Sequence, residues 1–442
     1  MKYSKFNLIL ENKNENNILF NTLYGNCFII NNNIKKIIES DDINQISKYP
    51  IYKDFIEKSI IIADYIDENR FIEYFRNKIK FDTTKISSTI LLSWNCNLAC
   101  IYCYEGAGYN LKSNNLNSET AKKYIKFMKN IAIKNRSKEM YINLFGGEPL
   151  VNIDIGIYIL ENLKKFCDKN SIIFSASIIT NGTLLSNEII NKLYINNCRY
   201  FQITLDGTEN VHNSRRLYKN GNGSYKTIIK NIQKLNSYDS MINTVIRINI
   251  DKTNIVNAYR LLEELGDNGL KLTNCNVDFG IVRGSTSACS SYSSKCFIES
   301  EIGEILKRLW EKAEAEGFKI NTSLYQKWIY CGLYSEGQYT ISPDGDVYKC
   351  WEHAGEPEHK MGSLNSDGEI TNLTYAYFDW MSHNPLENFD CKDCLYLPLC
   401  GGGCGVISYN KSKTYHDSGC YKVKGVIEKQ IEKYVYNMSV GQ

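Results

Sequence analysis

The sequence predicts an α/β fold. Its centre is a partial (βα)6 TIM barrel, flanked by a small N-terminal α+β unit and a cysteine-rich C-terminal region. Three observations predict it. Six apolar, β-rich segments alternate with six helical ones between residues 87 and 317. A polar or glycine-containing turn follows each of those strands. Seven of the sixteen cysteines fall within residues 331–420. The expected units are residues 1–85, 86–317 and 318–442, the last with a C-terminal helix.

A chain of 442 residues with 43% apolar content is long enough for more than one core. A net charge of +3 is too small to argue for nucleic acid or a membrane surface. The start, Met1 to Asn7, lacks the apolar core and cleavage site of an export signal, and a cytoplasmic location is expected. No apolar run is long enough to span a bilayer. Cysteines in such a chain point to metal or redox work rather than disulfides.

In the first unit, Phe6–Leu10, Ile18–Leu23 and Cys27–Ile30 read as strands, with a turn at Tyr24-Gly25-Asn26. Helices are expected at 33–40, 51–65 and 68–79. In the second unit, strands read at 87–94, 139–145, 172–180, 199–205, 243–250 and 271–282. Helices read at 118–135, 153–169, 187–197, 224–238, 255–267 and 297–317, with Ser118 as the N-cap of the first. The strands are apolar on both faces, as buried parallel strands are.

In such barrels chemistry gathers in the loops after the strands. After strand one come Cys96, Cys100 and Cys103. Three close thiolates can hold three irons of a cubic cluster and leave the fourth iron open. A zinc knuckle is the competing reading, but zinc prefers four ligands in paired groups. After strand two comes Gly146-Gly147-Glu148-Pro149, whose glycines let backbone approach a ligand. Thr180-Asn181-Gly182, Asp206-Gly207, Asp251 with Asn254, and Gly280 to Gly284 follow strands three to six.

The Cys-x3-Cys-x2-Cys spacing resembles the signature of the radical SAM superfamily. The resemblance implies a 4Fe–4S cluster on Cys96, Cys100 and Cys103, with S-adenosylmethionine (SAM) on its open iron. It implies SAM contacts from Tyr102, Gly146, Gly147, Glu148, Thr180 and Asn181. The segment Asp206-Gly207 to Arg216 resembles that of the SPASM branch. It makes Arg216 the candidate for the SAM carboxylate, Arg215 the runner-up and His212 a structural residue. Such enzymes cleave SAM reductively to a 5′-deoxyadenosyl radical, which takes a hydrogen atom from substrate.

Cys331-x13-Gly345-x4-Cys350, spanning a hairpin turned at Pro343-Asp344-Gly345, and Cys391-x2-Cys394-x5-Cys400-x3-Cys404-x15-Cys420 resemble the SPASM domain. By that resemblance Cys391, Cys394, Cys400 and Cys420 hold an outer 4Fe–4S cluster. Cys331, Cys350 and Cys404 hold an inner one, giving three clusters in all. Tyr325 and its neighbours offer no fourth inner ligand, so either Cys289 or Cys296 folds in or one iron is open. Cys27, Cys167, Cys198 and Cys275 read as buried thiols.

Three strands followed by three helices resemble the PqqD-like, winged-helix leader-recognition fold; an N-terminal cap is the alternative. Together these imply a maturase for a ribosomally made, Cys-containing precursor peptide carrying a leader, with an electron donor of the low-potential flavodoxin or ferredoxin type. Oxidative thioether crosslinking is the leading expectation. Sulfatase-maturase-like formylglycine formation, C–C crosslinking and epimerisation are the enzyme alternatives. A zinc-stabilised peptide-binding module is the non-enzyme one. In the formylglycine branch an acidic residue directly follows the Gly-x4-Cys cysteine; here Trp351 follows Cys350, with Glu352 next.

Overall fold

The computed structural model describes residues 1–11, 16–105, 114–267, 270, 275–284 and 287–440. The N-terminal unit contains β1 (Lys2–Tyr3), β2 (Asn7–Leu10), β3 (Asn17–Asn21), β4 (Cys27–Ile30), α1 (Asn32–Glu39), α2 (Ile43–Ile46), α3 (Tyr52–Glu57), β5 (Ile61–Ile62) and α4 (Glu68–Lys80). Strands β2, β3 and β4 form an antiparallel sheet with β3 central. Alternation along β3 sends side chains to opposite faces. Leu19 joins Ile34, Ile37, Phe55 and Ile60 under the helices. Ile18 and Phe20 pack on Leu399, Val423, Ile427 and Ile431 of the C-terminal region.

The helix expected at 51–65 stops at Glu57. Ser59 has φ +57°, which turns the chain, and the β-branched run that follows pairs Ile61 and Ile62 with β1.

The second unit runs β6 (Lys85–Leu91), β7 (Leu98–Cys100), α5 (Ser118–Lys134), β8 (Glu139–Phe145), α6 (Ile153–Lys169), β9 (Ile173–Thr180), α7 (Asn187–Ile195), β10 (Cys198–Thr204), α8 (Glu209–Arg215), β11 (Arg216–Tyr218), α9 (Tyr225–Tyr238), β12 (Asn243–Ile250), α10 (Ile255–Asp267), β13 (Cys275–Ile281) and α11 (Glu299–Ala315). Strands β6, β8, β9, β10, β12 and β13 are parallel neighbours in that order. Residues 271–274 of the last expected strand lie outside the described residues. Gly280 lies within β13 rather than in the loop after it.

Each of these strands is followed by a helix with one buried stripe. In α5 that stripe is Ala121, Tyr124, Ile125, Met128 and Ala132, at the three-and-four spacing of a helix face. The cap of α5 is Asn117, whose side chain accepts from the Thr120 N–H; Ser118 is the first helical residue. Helix α8 and the pair β7 and β11 were not expected.

The C-terminal unit contains β14 (Gln338–Ile341), β15 (Asp346–Tyr348), β16 (Gly362–Leu364), β17 (Ile370–Thr371), α12 (Tyr375–Ser382), α13 (Leu397–Cys400), α14 (Gly405–Ser412) and α15 (Val426–Val440). The expected hairpin is present, with Gly345 at φ +84° in its turn. Its first strand, β14, pairs in parallel with β6 and so extends the same sheet. Among the described residues that sheet has ten strands, β13-β12-β10-β9-β8-β6-β14-β15-β16-β17.

Candidate active site and cysteine centres

One cavity of about 480 Å³ touches residues at or just beyond the C-terminal end of every parallel strand: Cys96, Gly146, Thr180, Thr204, Asn249 and Arg283. Laid flat, six strands would spread those ends over about 24 Å. They meet at one cavity because the sheet curls around it. Trp351, Glu352, Tyr421 and Lys422 of the C-terminal unit close the far side.

The cysteine loop is held from two directions. Strand β7 pairs with β11, which sets Cys100 opposite Arg216. The glycine loop docks on the other side, through Gly147 N–H to the Ser93 carbonyl and Glu148 N–H to the Asn95 carbonyl, both 2.9 Å. A Cβ on Gly147 would lie 2.7 Å from the Asn95 oxygen, so only glycine allows this approach. Cys96, Cys100 and Cys103 all line the cavity. Burial pushes the Cys96 thiol up to about 12, so binding a metal there must release its proton.

Glu148 is 0% exposed and does not line the cavity. Its carboxylate accepts from Thr180 Oγ1 at 2.6 Å, Asn181 N–H at 2.7 Å and Leu150 N–H at 2.9 Å. The expectation that it meets a SAM ammonium directly is therefore corrected: it ties the loops after β8 and β9 together. Thr180 and Asn181 do line the cavity, and Asn181 reaches Asn97 at 2.8 Å and Cys96 Sγ at 3.8 Å.

Tyr102 and Arg216 face the cavity from below. Arg216 Nη1 donates to the Tyr102 hydroxyl at 2.8 Å, and that hydroxyl donates to Asp206. Arg216 Nε is buried with no hydrogen-bond partner, an orphaned donor beside three thiols. A guanidinium so placed fits a ligand carboxylate. Burial opposes its charge, but Cys100, Tyr102 and Asp206 outweigh that. Arg215 is committed elsewhere: it is 2% exposed, pairs with Asp251 at 2.8 Å and donates to Thr253 and Tyr292. His212 accepts from the Asp206 N–H at 3.3 Å and pairs with Ser224 Oγ at 3.0 Å; burial holds it neutral.

In the C-terminal unit a second cavity, of about 270 Å³, is ringed by Cys391, Cys394, Cys400 and Cys420. Among the described residues no three His, Cys, Asp or Glu side chains are gathered around one metal-ion position. A cube differs in offering separate irons to separate thiolates, and four cysteines around an open cavity suit that donor set. Cys331, Cys350 and Cys404 form the other group, each within the electrostatic reach of another. The Tyr334 N–H donates to the Cys331 carbonyl at 3.2 Å. The two groups are joined by Gly401, Gly402 and Gly403, at φ +76°, +105° and +84°. Cys289 and Cys296 stay with the loops after β12 and β13, donating to the carbonyls of Arg283 and Tyr292. Cys167, Cys198 and Cys275 are buried, whereas Cys27 is partly exposed.

Residues 90–271 match the radical SAM superfamily. The chain carries a radical SAM domain. It is an enzyme, and its domain implies bound SAM and a 4Fe–4S cluster. Over 370 residues this radical SAM enzyme is 27% identical to a cysteine-type anaerobic sulfatase-maturating enzyme of Clostridium novyi, covering 78% of this chain and 94% of that protein. Over 457 residues it is 24% identical to the radical SAM cyclopropyl synthase TigE of Paramaledivibacter caminithermalis, covering 94% and 92%. The fold is that of SuiB from Streptococcus suis, solved with its precursor peptide SuiA, at 17% identity and TM-score 0.54 over 96% of this chain and all of that one.

Sequence reasoning missed the Asp206–Arg215–Asp251 network of the radical SAM domain. The signal available was an Asp after each of two adjacent strands, with Arg215 left over once Arg216 takes the carboxylate role. It also missed Arg283, which pairs at 2.6 Å in the cavity wall with Glu352, a residue the sequence had marked only by its place after Cys350. Among the described residues no helix is long and apolar enough to cross a membrane.

Proposed function

We propose that this radical SAM enzyme is a SPASM-type maturase that forms a thioether within a ribosomally made, Cys-containing peptide. One observation carries it: the cavity that holds the three loop thiols and Arg216 is closed by the cysteine-rich unit, through Glu352, Tyr421 and Lys422. Cys96, Cys100 and Cys103 hold the radical-generating cluster. Arg216 takes the SAM carboxylate, while Gly146, Gly147, Thr180, Asn181 and Tyr102 shape the rest of its site. Cys391, Cys394, Cys400 and Cys420 hold an outer cluster. Cys331, Cys350 and Cys404 hold an inner one with one iron open, since Cys289 and Cys296 are engaged elsewhere.

When bound, SAM with its cluster supplies a carbon radical, and the inner cluster supplies an electron acceptor. The protein's own part is positional. Arg216 and the glycine loop orient SAM; the wall of Arg283, Glu352, Tyr421 and Lys422 orients the peptide and shields it from water. In balance, one hydrogen atom leaves a peptide carbon, one proton leaves the cysteine, and one electron is carried off as the C–S bond closes.

The N-terminal sheet supports a leader-binding role. Strand β4 is terminal in its sheet and Ile29 on it is 51% exposed; a leader strand can add there through main-chain hydrogen bonds. SuiB, whose match covers 96% of this chain, was solved bound to a precursor peptide.

The test is anaerobic incubation of reconstituted enzyme with SAM, dithionite and Cys-containing candidate peptides drawn from the neighbouring open reading frames. Mass spectrometry should find the peptide two hydrogens lighter and its cysteine resistant to alkylation. An unchanged, alkylatable peptide would overturn the reading.

Glu352 favours a second reading, formylglycine formation on a protein substrate, because it places a carboxylate in the cavity despite its shifted position after Cys350. That product carries an aldehyde that a hydrazide captures, which a thioether does not.

A further inference from the structure

Three cations lie buried and, among the described residues, make no hydrogen-bonded ion pair, although the more distant Glu387 and Glu336 carboxylates favour their charge. Arg76 is 2% exposed, Lys80 4% and Lys349 1%. Arginine and lysine are almost never that buried unless paired, because the penalty is several kcal/mol per ion. Yet every hydrogen bond these three make goes to an uncharged group. Arg76 Nη1 donates to the Trp328 carbonyl at 3.5 Å, and Nη2 meets His383 at its carbonyl and at Nδ1. Lys80 Nζ donates to the same His383 carbonyl at 3.2 Å. Lys349 Nζ donates to the carbonyls of Ser335, Glu336 and Gln338. Burial pushes Lys80 down to about 8, which is the cost of holding its charge there with no bound anion.

All three surround the backbone that carries one cysteine group. Trp328 lies three residues before Cys331, and Lys349 directly precedes Cys350. The His383 ring lies 4.6 Å from that of Tyr334, whose N–H donates to the Cys331 carbonyl. The same His383 abuts Gly402, where a Cβ would come within 3.1 Å of the ring, in the glycine bridge leading to Cys404.

We infer that Arg76, Lys80 and Lys349 are the counter-charge of the inner cluster on Cys331, Cys350 and Cys404, and that they raise its reduction potential. The inference rests on the proposal that these cysteines hold a cluster. Thiolate ligands make the cluster anionic, and reduction by one electron adds a further negative charge. Buried cations favour the reduced form, and net charge is among the factors that set such potentials. Two of the three stand on α4, so the N-terminal unit reaches into the redox centre. The other end of α4 is pinned to the first strands, with Glu68 accepting from Ser4 Oγ at 2.6 Å and from the Lys5 N–H at 3.0 Å. A leader held on that sheet is thus one rigid helix away from the cluster's counter-charge.

The experiment uses the full chain, reconstituted anaerobically, with Cys96, Cys100 and Cys103 replaced by alanine so that only auxiliary clusters report. Iron per chain and EPR-monitored midpoint potentials are compared for the parent, Arg76→Met, Lys80→Met and Arg76→Lys. Each Met variant should move the inner midpoint to more negative values by a tenfold change in the reduction equilibrium, about 59 mV for one electron. Arg76→Lys should keep the parent potential. Lys80→Met leaves the Arg76 hydrogen bonds in place and carries the test alone if Arg76→Met does not fold. Full iron with unshifted midpoints in the Met variants overturns the inference. Adding Cys331→Ala separates the two claims. If it removes no iron, the inner-cluster reading itself fails. If it removes about four irons while the Met variants stay unshifted, only the counter-charge inference fails.

Discussion

At the barrel rim, Asp206, Arg215 and Asp251 are buried and tied to one another's loops by ion pairs and hydrogen bonds. Around Cys391–Cys420 the chain runs instead through a four-residue helix and three left-handed glycines, and its cysteines face an open cavity. The rim therefore forms from protein–protein contacts and then receives its ligands. On the proposed cluster assignment, the cysteine region is expected to depend on its bound thiolates for its shape. Where metal binding and folding are coupled, binding free energy is folding free energy.

The largest effect that tests this contrast comes from the cysteines. Replacing Cys96, Cys100 or Cys103 by alanine should abolish 5′-deoxyadenosine release, read by chromatography, while far-UV circular dichroism and thermal unfolding of the protein stay near those of the parent. Cys394→Ala should do the reverse, leaving the rim intact while the 386–424 segment becomes open to proteolysis. Equal protease sensitivity of the two variants would erase the contrast.

Next in size is the rim network. Arg215→Leu leaves Asp251 as an unpaired buried carboxylate and should cost about 3–5 kcal/mol in denaturant unfolding. Gly146→Ala follows: φ is +124° and its Cβ would strike the Ser93 backbone. Strain of that kind costs about 1–3 kcal/mol, and iron retention at the first cluster should fall with it.

The smallest effect is in pH. Burial alone would raise the Asp251 carboxyl, but hydrogen bonds from Thr253 and the charge of Arg215 outweigh it and hold the group below its usual range. A carboxyl depressed in the folded state stabilises above the free value of about 3.9 and loses that contribution as pH falls through the folded value. Acid unfolding of Asp251→Asn should accordingly be flatter below about pH 4, and an unchanged acid limb would mean that Asp251 is not held in its ion pair.

Much of this was legible in the sequence where the signal is local. Parallel strands announce themselves by short apolar runs, and the cysteine spacings place each thiol on one loop. What was not legible depends on pairing across the chain. Nothing in Leu98-Ala99-Cys100 says that it meets Arg216-Leu217-Tyr218. A Gly-Gly-Glu-Pro loop reads the same whether its Glu faces a ligand or, like Glu148, binds Thr180 and Asn181. Arg76 and Lys80 look like solvated charges on an amphipathic helix; only the tertiary fold turns them inward. The isoleucines at 60–62 continue an apolar run that reads as helix, but their β-branching suits the strand that pairs with β1.

The pairing of β14 with β6 has a consequence in time. During synthesis, β6 emerges about 250 residues before the strand that covers its edge. At roughly 5–20 residues per second that edge stays open for roughly 12–50 s. An uncovered strand edge is a template for wrong partners. The nascent chain must hold one edge of its first barrel strand open until the cysteine hairpin arrives, so slowing the ribosome between residues 91 and 338 is the manipulation that would most increase misassembly.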